Sequence, residues 1–362
     1  MKNIQQLLTE WQATQPLDKA LQRRFDQSFM IDFNYNSNHL EGNTLTYGQT
    51  RLLLLFGKIK GEALFRDCEE MKAHNVGLEM MKVEALDRKR PLSENFIRDL
   101  NRTILAGDFH KVSRDGTYRY KIHTGVYKTR PNSVITPSGE MFDYASPEET
   151  PSLMGDLIKW YNDAEQEAVL SPIALAALFH YRYIRIHPFE DGNGRIARLL
   201  VNYILLRHNY PMLVIPTADR KNYLNALSAC DENTGKEPYK GANATLEQIE
   251  PFYDYIYSLV IKKLSFAVKL LRGLTTDISE TDEVQQKESV QVDNVSVNVS
   301  VNVSVKDKIL DIIVQMPTVT VKELSKILSV SERTIYRQLE NLKSENKIER
   351  VGSDKNGYWK IN

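Results

Sequence analysis

Two apolar helical stretches meet at a loop broken by proline and glycine between residues 186 and 194. Ser171 suits an N-cap and Pro172 the first helical position, so a helix is expected from Pro172 to about Ile186. It is apolar nearly all round, as a buried central helix must be. His187-Pro188 then stops it, because proline cannot continue a helix. Gly192 and Gly194 flank Asn193, which lets the backbone turn tightly and approach a ligand closely. A second, amphipathic helix is expected from near Gly194 to about Arg207.

A glycine loop entering a helix aims free N–H groups at one point and makes an anion site. Arg195 and Arg198 lie three apart, close enough to share a face. Cations at a helix N-terminus oppose its dipole, which makes sense if polyphosphate sits there. Asp191 offers a hard carboxylate of the kind Mg²⁺ takes when phosphates fill its other positions. A Walker loop, a kinase glycine loop and a dinucleotide fingerprint are all absent from the sequence. His187 has no second histidine at zinc-ligand spacing.

The stretch His187-Pro188-Phe189-Glu190-Asp191-Gly192-Asn193-Gly194-Arg195-Ile196-Ala197-Arg198 resembles, at every fixed position, the H-P-F-x-D-G-N-G-R-x-x-R signature of the Fic family. The resemblance implies a helical fold over roughly residues 110 to 260 and transfer of AMP from ATP to a protein hydroxyl. It implies His187 as the general base and Asp191 as the ligand of Mg²⁺ or Mn²⁺. Gly192, Asn193 and Gly194 would form the anion hole, Arg195 would support the β-phosphate and Arg198 the γ-phosphate. Ser37-Asn38-His39-Leu40-Glu41-Gly42 resembles the family's inhibitory motif [S/T]-x-x-x-E-[G/N], which would pair Glu41 with Arg198. Taken alone, those residues read as an ordinary helix end stopped by Gly42. Ser133, Val134, Ile135 and Thr136 sit where the family's target-binding flap lies, and Tyr223 resembles the tyrosine of its adenine pocket. An aromatic at helical spacing is also common in any core.

The rest of the chain up to about residue 272 reads mainly as helices, with Leu17 to Phe33, Thr46 to Met81 and Ser93 to Leu105 rich in helix formers. Turn signals between 115 and 140 predict a β-hairpin or extended flap. From Thr275 the composition turns acidic, and Val295 to Val305 is a Val/Ser/Asn repeat, expected to be a linker. Residues 306–362 read as helix, turn, helix and hairpin, the layout of a winged helix-turn-helix. That unit carries 11 Lys and Arg against 8 Asp and Glu, a mild excess for a DNA binder.

The expected architecture is mainly α: an N-terminal region 1–110, a Fic core 111–272, a linker 273–305 and a winged helix 306–362. Lys plus Arg and Asp plus Glu are 47 each, which argues against a chain that coats nucleic acid or anionic membrane with its whole surface. Two cysteines 162 positions apart exclude a disulfide scaffold. No apolar run is long enough to span a membrane, and the start lacks a signal-peptide core, so a cytoplasmic location is expected. The expected partners are ATP and a protein substrate. A homodimer and DNA at residues 306–362 stay open, as do a nucleotide-sensing transcription regulator and a different nucleotide donor.

Overall fold

The computed structural model describes residues 4–113, 117–135, 141–272, 309, 313, 319–328, 331–345, 347–351 and 358–361. The linker 273–305, Asp115-Gly116, Thr136 and Ser138-Gly139 lie outside them. The chain divides into two compact units, residues 1–290 and 291–362.

The first unit is helical. Its elements are α1 (Ile4–Ala13), α2 (Lys19–His39), α3 (Tyr47–Phe56), α4 (Phe65–Leu86), α5 (Glu94–Ile104), β1 (Phe109–Val112), β2 (Arg119–Ile122), β3 (Val134–Ile135), β4 (Met141–Phe142), α6 (Thr150–Glu167), α7 (Pro172–Ile186), α8 (Asn193–Arg207), a 3-10 turn (Thr217–Asp219), α9 (Arg220–Thr234), α10 (Pro238–Ala242) and α11 (Glu250–Leu271). The α7–α8 pair forms the centre. Ser171 caps α7 by accepting from the Ala174 N–H, and Pro172 opens the helix. Helix α8, expected to be amphipathic, is buried almost all round. It packs against α7 on one side and α4 and α5 on others, leaving no solvent face. One hydrophobic core runs from Leu7 on α1 to Val268 on α11.

Two further sequence expectations differ from the structure. The helical stretch Thr46 to Met81 is broken. Gly57 takes a left-handed conformation, φ 65°, and ends α3. The Gln49 side chain then holds the following loop through the Lys60 and Glu62 carbonyls, and α4 restarts at Phe65. Where a β-hairpin or an extended flap was expected, two short hairpins form. β1 and β2 pair antiparallel, with Phe109 opposite Ile122 and Lys111 opposite Tyr120. β3 and β4 pair as Val134 with Phe142 and Ile135 with Met141. Strands of two to four residues carry too little alternation to stand out in a sequence.

The second unit holds α12 (Val321–Leu328), α13 (Glu332–Ser344), β5 (Ile348–Val351) and β6 (Tyr358–Ile361). Thr320 and Glu323 form a capping box, with Glu323 N–H donating to Thr320 and Thr320 N–H to Glu323. Ser331 caps α13. Ile309, Ile313, Leu324, Ile335, Leu339, Leu342, Ile348 and Trp359 make a core of its own. The antiparallel β5–β6 pair is the wing.

Candidate functional site

The site forms where α7 ends and α8 begins. His187 is the C-cap of α7 in a left-handed conformation, φ 52°, with its N–H donating to the Tyr183 carbonyl. Its Nδ1 lies 3.3 Å from the Ile184 carbonyl, which can only accept. Nδ1 therefore carries the hydrogen and Nε2 keeps a free lone pair. The ring stacks on Tyr144 at 4.0 Å between centroids. Burial, then the nearby Lys128 charge, push His187 down to about 4, so the imidazole is neutral at physiological pH.

Helix α8 begins without a side-chain cap, after Gly192 in a left-handed conformation. Its first intrahelical bond runs from Ile196 N–H to the Gly192 carbonyl, so the N–H groups of Asn193, Gly194 and Arg195 precede it. The Asn193 side chain turns inward: it accepts from Phe189 N–H at 3.0 Å and donates to the Phe189 carbonyl at 2.6 Å. Its backbone N–H remains to serve an anion.

Glu41 lies just beyond the end of α2 and reaches over this helix start. A methyl group added at Gly194 would overlap its carboxylate. Arg198 donates to Glu41 Oε1 at 2.8 Å, to the Ser37 hydroxyl at 3.0 Å and to the Ser37 carbonyl at 2.8 Å. Burial pushes the Glu41 carboxyl up, but the Arg198 and Arg195 guanidiniums outweigh it and hold it below the usual range. Gly42, φ 93°, ends the turn, so the segment is both a helix end and a partner for Arg198.

The two arginines diverge rather than share a face. Arg195 donates to Asp191 Oδ1 at 3.3 Å, and Glu70 stands 3.8 Å off. Among the described residues its Nε and one terminal nitrogen, both buried, have no hydrogen-bond partner, an arrangement that suits an incoming anion. Asp191 Oδ2 accepts from Lys111 Nζ at 2.5 Å, and Lys111 is 41% exposed. Burial raises the Asp191 carboxyl, and Lys111 and Arg195 bring it below its ordinary value. A single carboxylate already holding a removable cation fits the donor set of Mg²⁺ or Mn²⁺, which needs one or two carboxylates when phosphates supply the rest. Among the described residues no cluster of three or more His, Cys, Asp or Glu could hold a metal alone.

Glu41, His187, Asp191, Gly192, Asn193, Gly194, Arg198 and Tyr223 line one cavity, with Tyr144 and Leu227. Tyr223 is 5% exposed, its hydroxyl 3.0 Å from His180 Nε2. Of the flap residues, Ser133 does not line that cavity. Ser133 bonds Asp143, and Val134 and Ile135 form the β3 strand beside it. A second groove beside Glu190 is lined by Tyr118, Tyr120, Arg130 and Ser133. Sequence reasoning missed Lys111, Lys128, Asn101, Asn132 and Tyr144. Asn101 ties α5 to the loop by donating to the Asp191 carbonyl. No periodicity or spacing marks any of the five.

No described helix is long and apolar enough to cross a membrane. Residues 91–205 match the Fic/DOC family, and residues 306–358 match an HTH domain. Protein adenylyltransferase fic-1 of Caenorhabditis elegans is 28% identical over 238 residues, covering 66% of this chain and 41% of that protein. Protein adenylyltransferase Fic of Drosophila melanogaster is 31% identical over 215 residues, covering 58% and 39%. The chain thus spans less than half the length of these curated relatives. Among solved structures, a Fic domain containing signaling protein from Bacteroides thetaiotaomicron is 56% identical, covers 77% of this chain and 99% of its own, and superposes with a TM-score of 0.72. A structure of C. elegans Fic-1 is 26% identical, covers 73% and 69%, and superposes with a TM-score of 0.56. With the complete motif at the α7–α8 junction and a helical frame shared with these proteins, the chain belongs to the Fic/DOC family.

Proposed function

We propose that this protein transfers AMP from ATP to a Ser, Thr or Tyr hydroxyl of a target protein, and to itself, and that Glu41 inhibits it. One observation carries the reading: a neutral imidazole with a free Nε2 opens onto the same cavity as an uncapped helix N-terminus and Arg198, where a carboxylate already sits. The relatives named as adenylyltransferases support it.

His187 Nε2 takes the proton of the target hydroxyl. The oxygen attacks the α-phosphorus, a new P–O bond forms, the bond to the β-phosphate breaks, and pyrophosphate leaves. Arg195 and the α8 N–H groups stabilise the charge on the departing phosphates, and Arg198 takes the γ-phosphate once Glu41 withdraws. Asp191 would hold Mg²⁺ or Mn²⁺, which when bound shields the phosphate charge. Tyr223 lies on the cavity wall where it would meet the base. The groove beside Glu190, lined by Ser133 just before β3, would take the target segment as an added strand.

The HTH match supports a DNA contact as a second role for residues 306–362. α13 exposes Tyr336 and Arg337, though Glu332 and Glu340 dilute its charge. A footprint assay tests that. Exposed Phe65, Val76 and Val83 on α4 support a homodimer. Two free cysteines, Cys68 and Cys230, fit a reducing cytoplasm.

The test is labelling of native lysate and of the protein itself with α-labelled ATP, against γ-labelled ATP and other labelled nucleotides. Label from the α-position only, abolished in His187→Ala, is the expected result. Label from the γ-position, or from another donor alone, would overturn it.

A further inference from the structure

The turn that presents His187 is held from outside by residues 128 to 132. Helix α7 leaves its last carbonyls without intrahelical partners, and Pro188 prevents any continuation. Four successive carbonyls nevertheless all find donors. The Ile186 carbonyl accepts from Lys128 Nζ at 3.0 Å. The His187 carbonyl accepts from Asn132 Nδ2 at 3.2 Å. The Pro188 carbonyl accepts from the Lys128 backbone N–H at 2.8 Å. The Phe189 carbonyl accepts from Asn132 Nδ2 at 3.0 Å as well as from Asn193. Lys128 Nζ also donates to Asn132 Oδ1 at 2.8 Å, which locks the two clamps together.

Lys128 is 2% exposed, and a lysine is rarely buried without a task. Among the described residues no ion pair holds it, and its partners are a carbonyl and an amide oxygen. A cation at a helix C-terminus sits at the favourable end of the helix dipole. Its ammonium therefore faces the last turn of the helix that carries the base.

We propose that Lys128, with Asn132, is a positioning residue for His187, fixing the left-handed turn that aims the imidazole. This rests on the reading of His187 as the base. Burial lowers Lys128 itself to about 7, with Glu149 opposing the shift. The lysine is therefore charged throughout the acidic range where His187 titrates. The groups facing His187 are Lys128, which lowers it, and Glu41 and Asp191, which raise it, with Tyr144 stacked on the ring. Removing Lys128 leaves burial still lowering the imidazole but takes away the charge that opposes Glu41 and Asp191.

The experiment measures transfer from α-labelled ATP with full-length protein, in wild-type and Glu41→Gly backgrounds, for Lys128→Met, Lys128→Arg, Asn132→Ala and His187→Ala. It records kcat, KM for ATP, melting temperature and the pH–rate profile. Lys128→Met should lower kcat about 10- to 100-fold, the scale of a misplaced reacting group, with KM and melting temperature little changed. Its acid limb should move to higher pH. Lys128→Arg, which keeps charge and donors, should recover most of both. Asn132→Ala should lower kcat without moving the acid limb. An unchanged kcat and acid limb in Lys128→Met overturns the proposal. So does a loss of kcat that tracks melting temperature and ATP affinity and is not recovered by arginine. Transfer that persists in His187→Ala overturns the assignment of the base instead, whereas its loss there beside a normal Lys128→Met overturns the clamp alone.

Discussion

The Ser37 hydroxyl donates to His74 Nε2 across 3.2 Å while accepting from Arg198 Nε at 3.0 Å. The direction follows from the far side of the ring. His74 Nδ1 lies 2.6 Å from Asn34 Oδ1, and the Asn34 amide nitrogen already donates to Met30 and Asn75. Nδ1 must donate, so Nε2 must accept. A buried neutral histidine on α4 thus orients the hydroxyl that orients Arg198.

Ser37→Ala removes one of the three bonds on Arg198 and leaves His74 Nε2 without its donor. A typical bond contributes about 1 kcal/mol, so the inhibited state should weaken about five-fold. Self-labelling from α-labelled ATP should rise by about that factor, well short of the effect at Glu41. Labelling at or below wild type would detach Ser37 from inhibition.

Glu41→Gly should raise labelling by tens of fold. A shielded carboxylate–arginine pair is stronger than a surface one. If the closed state is favoured by about 2–3 kcal/mol, only about 3% of molecules or fewer are competent. Arg198→Ala breaks the same pair but loses the phosphate contact, and should not activate. Equal labelling by wild type and Glu41→Gly would leave residues 37–42 as a helix end and nothing more.

The α7 and α8 boundaries were legible because the chain punctuates them: Ser171-Pro172 at one end, His187-Pro188 and Gly192 at the other. The break between α3 and α4 was not, since it depends on a left-handed Gly57 and on Gln49 reaching across to two carbonyls. The motif identified the residues at the loop but not how their side chains would be used. Asn193 turns inward to clamp Phe189, and Arg195 and Arg198 fan apart to Asp191 and Glu41. Lys111, Lys128 and Asn132 reach the site through tertiary contacts, and single residues distant in sequence carry no period.

Lys111→Met should let Mn²⁺ bind without nucleotide more tightly than in wild type. In the present structure the lysine ammonium neutralises Asp191 Oδ2, the oxygen a divalent cation would take. Electron paramagnetic resonance of free Mn²⁺ reads this without any turnover. Asp191→Ala should abolish the binding in both backgrounds. Equal affinity in wild type and Lys111→Met would mean that Lys111 does not compete for Asp191.

Deleting residues 306–362 should leave the first unit folded, with its melting transition retained. Each unit has its own apolar core, one running from Leu7 to Val268 and the other built on Ile309, Leu324, Leu339 and Trp359. Transfer chemistry should persist, and any DNA footprint should vanish. An insoluble truncated protein would show that the boundary is misplaced.

Stability should fall steeply between pH 6.5 and 4. His74, His180 and His187 are each held below their ordinary value, by burial first. The nearby Arg195 and Arg198 add to the shift at His74, Arg198 at His180 and Lys128 at His187. His180 is lowered to about 3 and His187 to about 4. In the unfolded chain all three take up a proton near pH 6.5. Below that pH the unfolded state binds protons that the folded state refuses, so acid favours unfolding. Each histidine contributes up to about 1.4 kcal/mol per pH unit across this window, and nothing above it. Urea midpoints measured from pH 7 to pH 4.5 should decline below 6.5. His180→Gln, which keeps a polar partner for Tyr223, should reduce that decline by about one histidine's share. An identical slope in the variant would mean that His180 is already protonated in the folded protein.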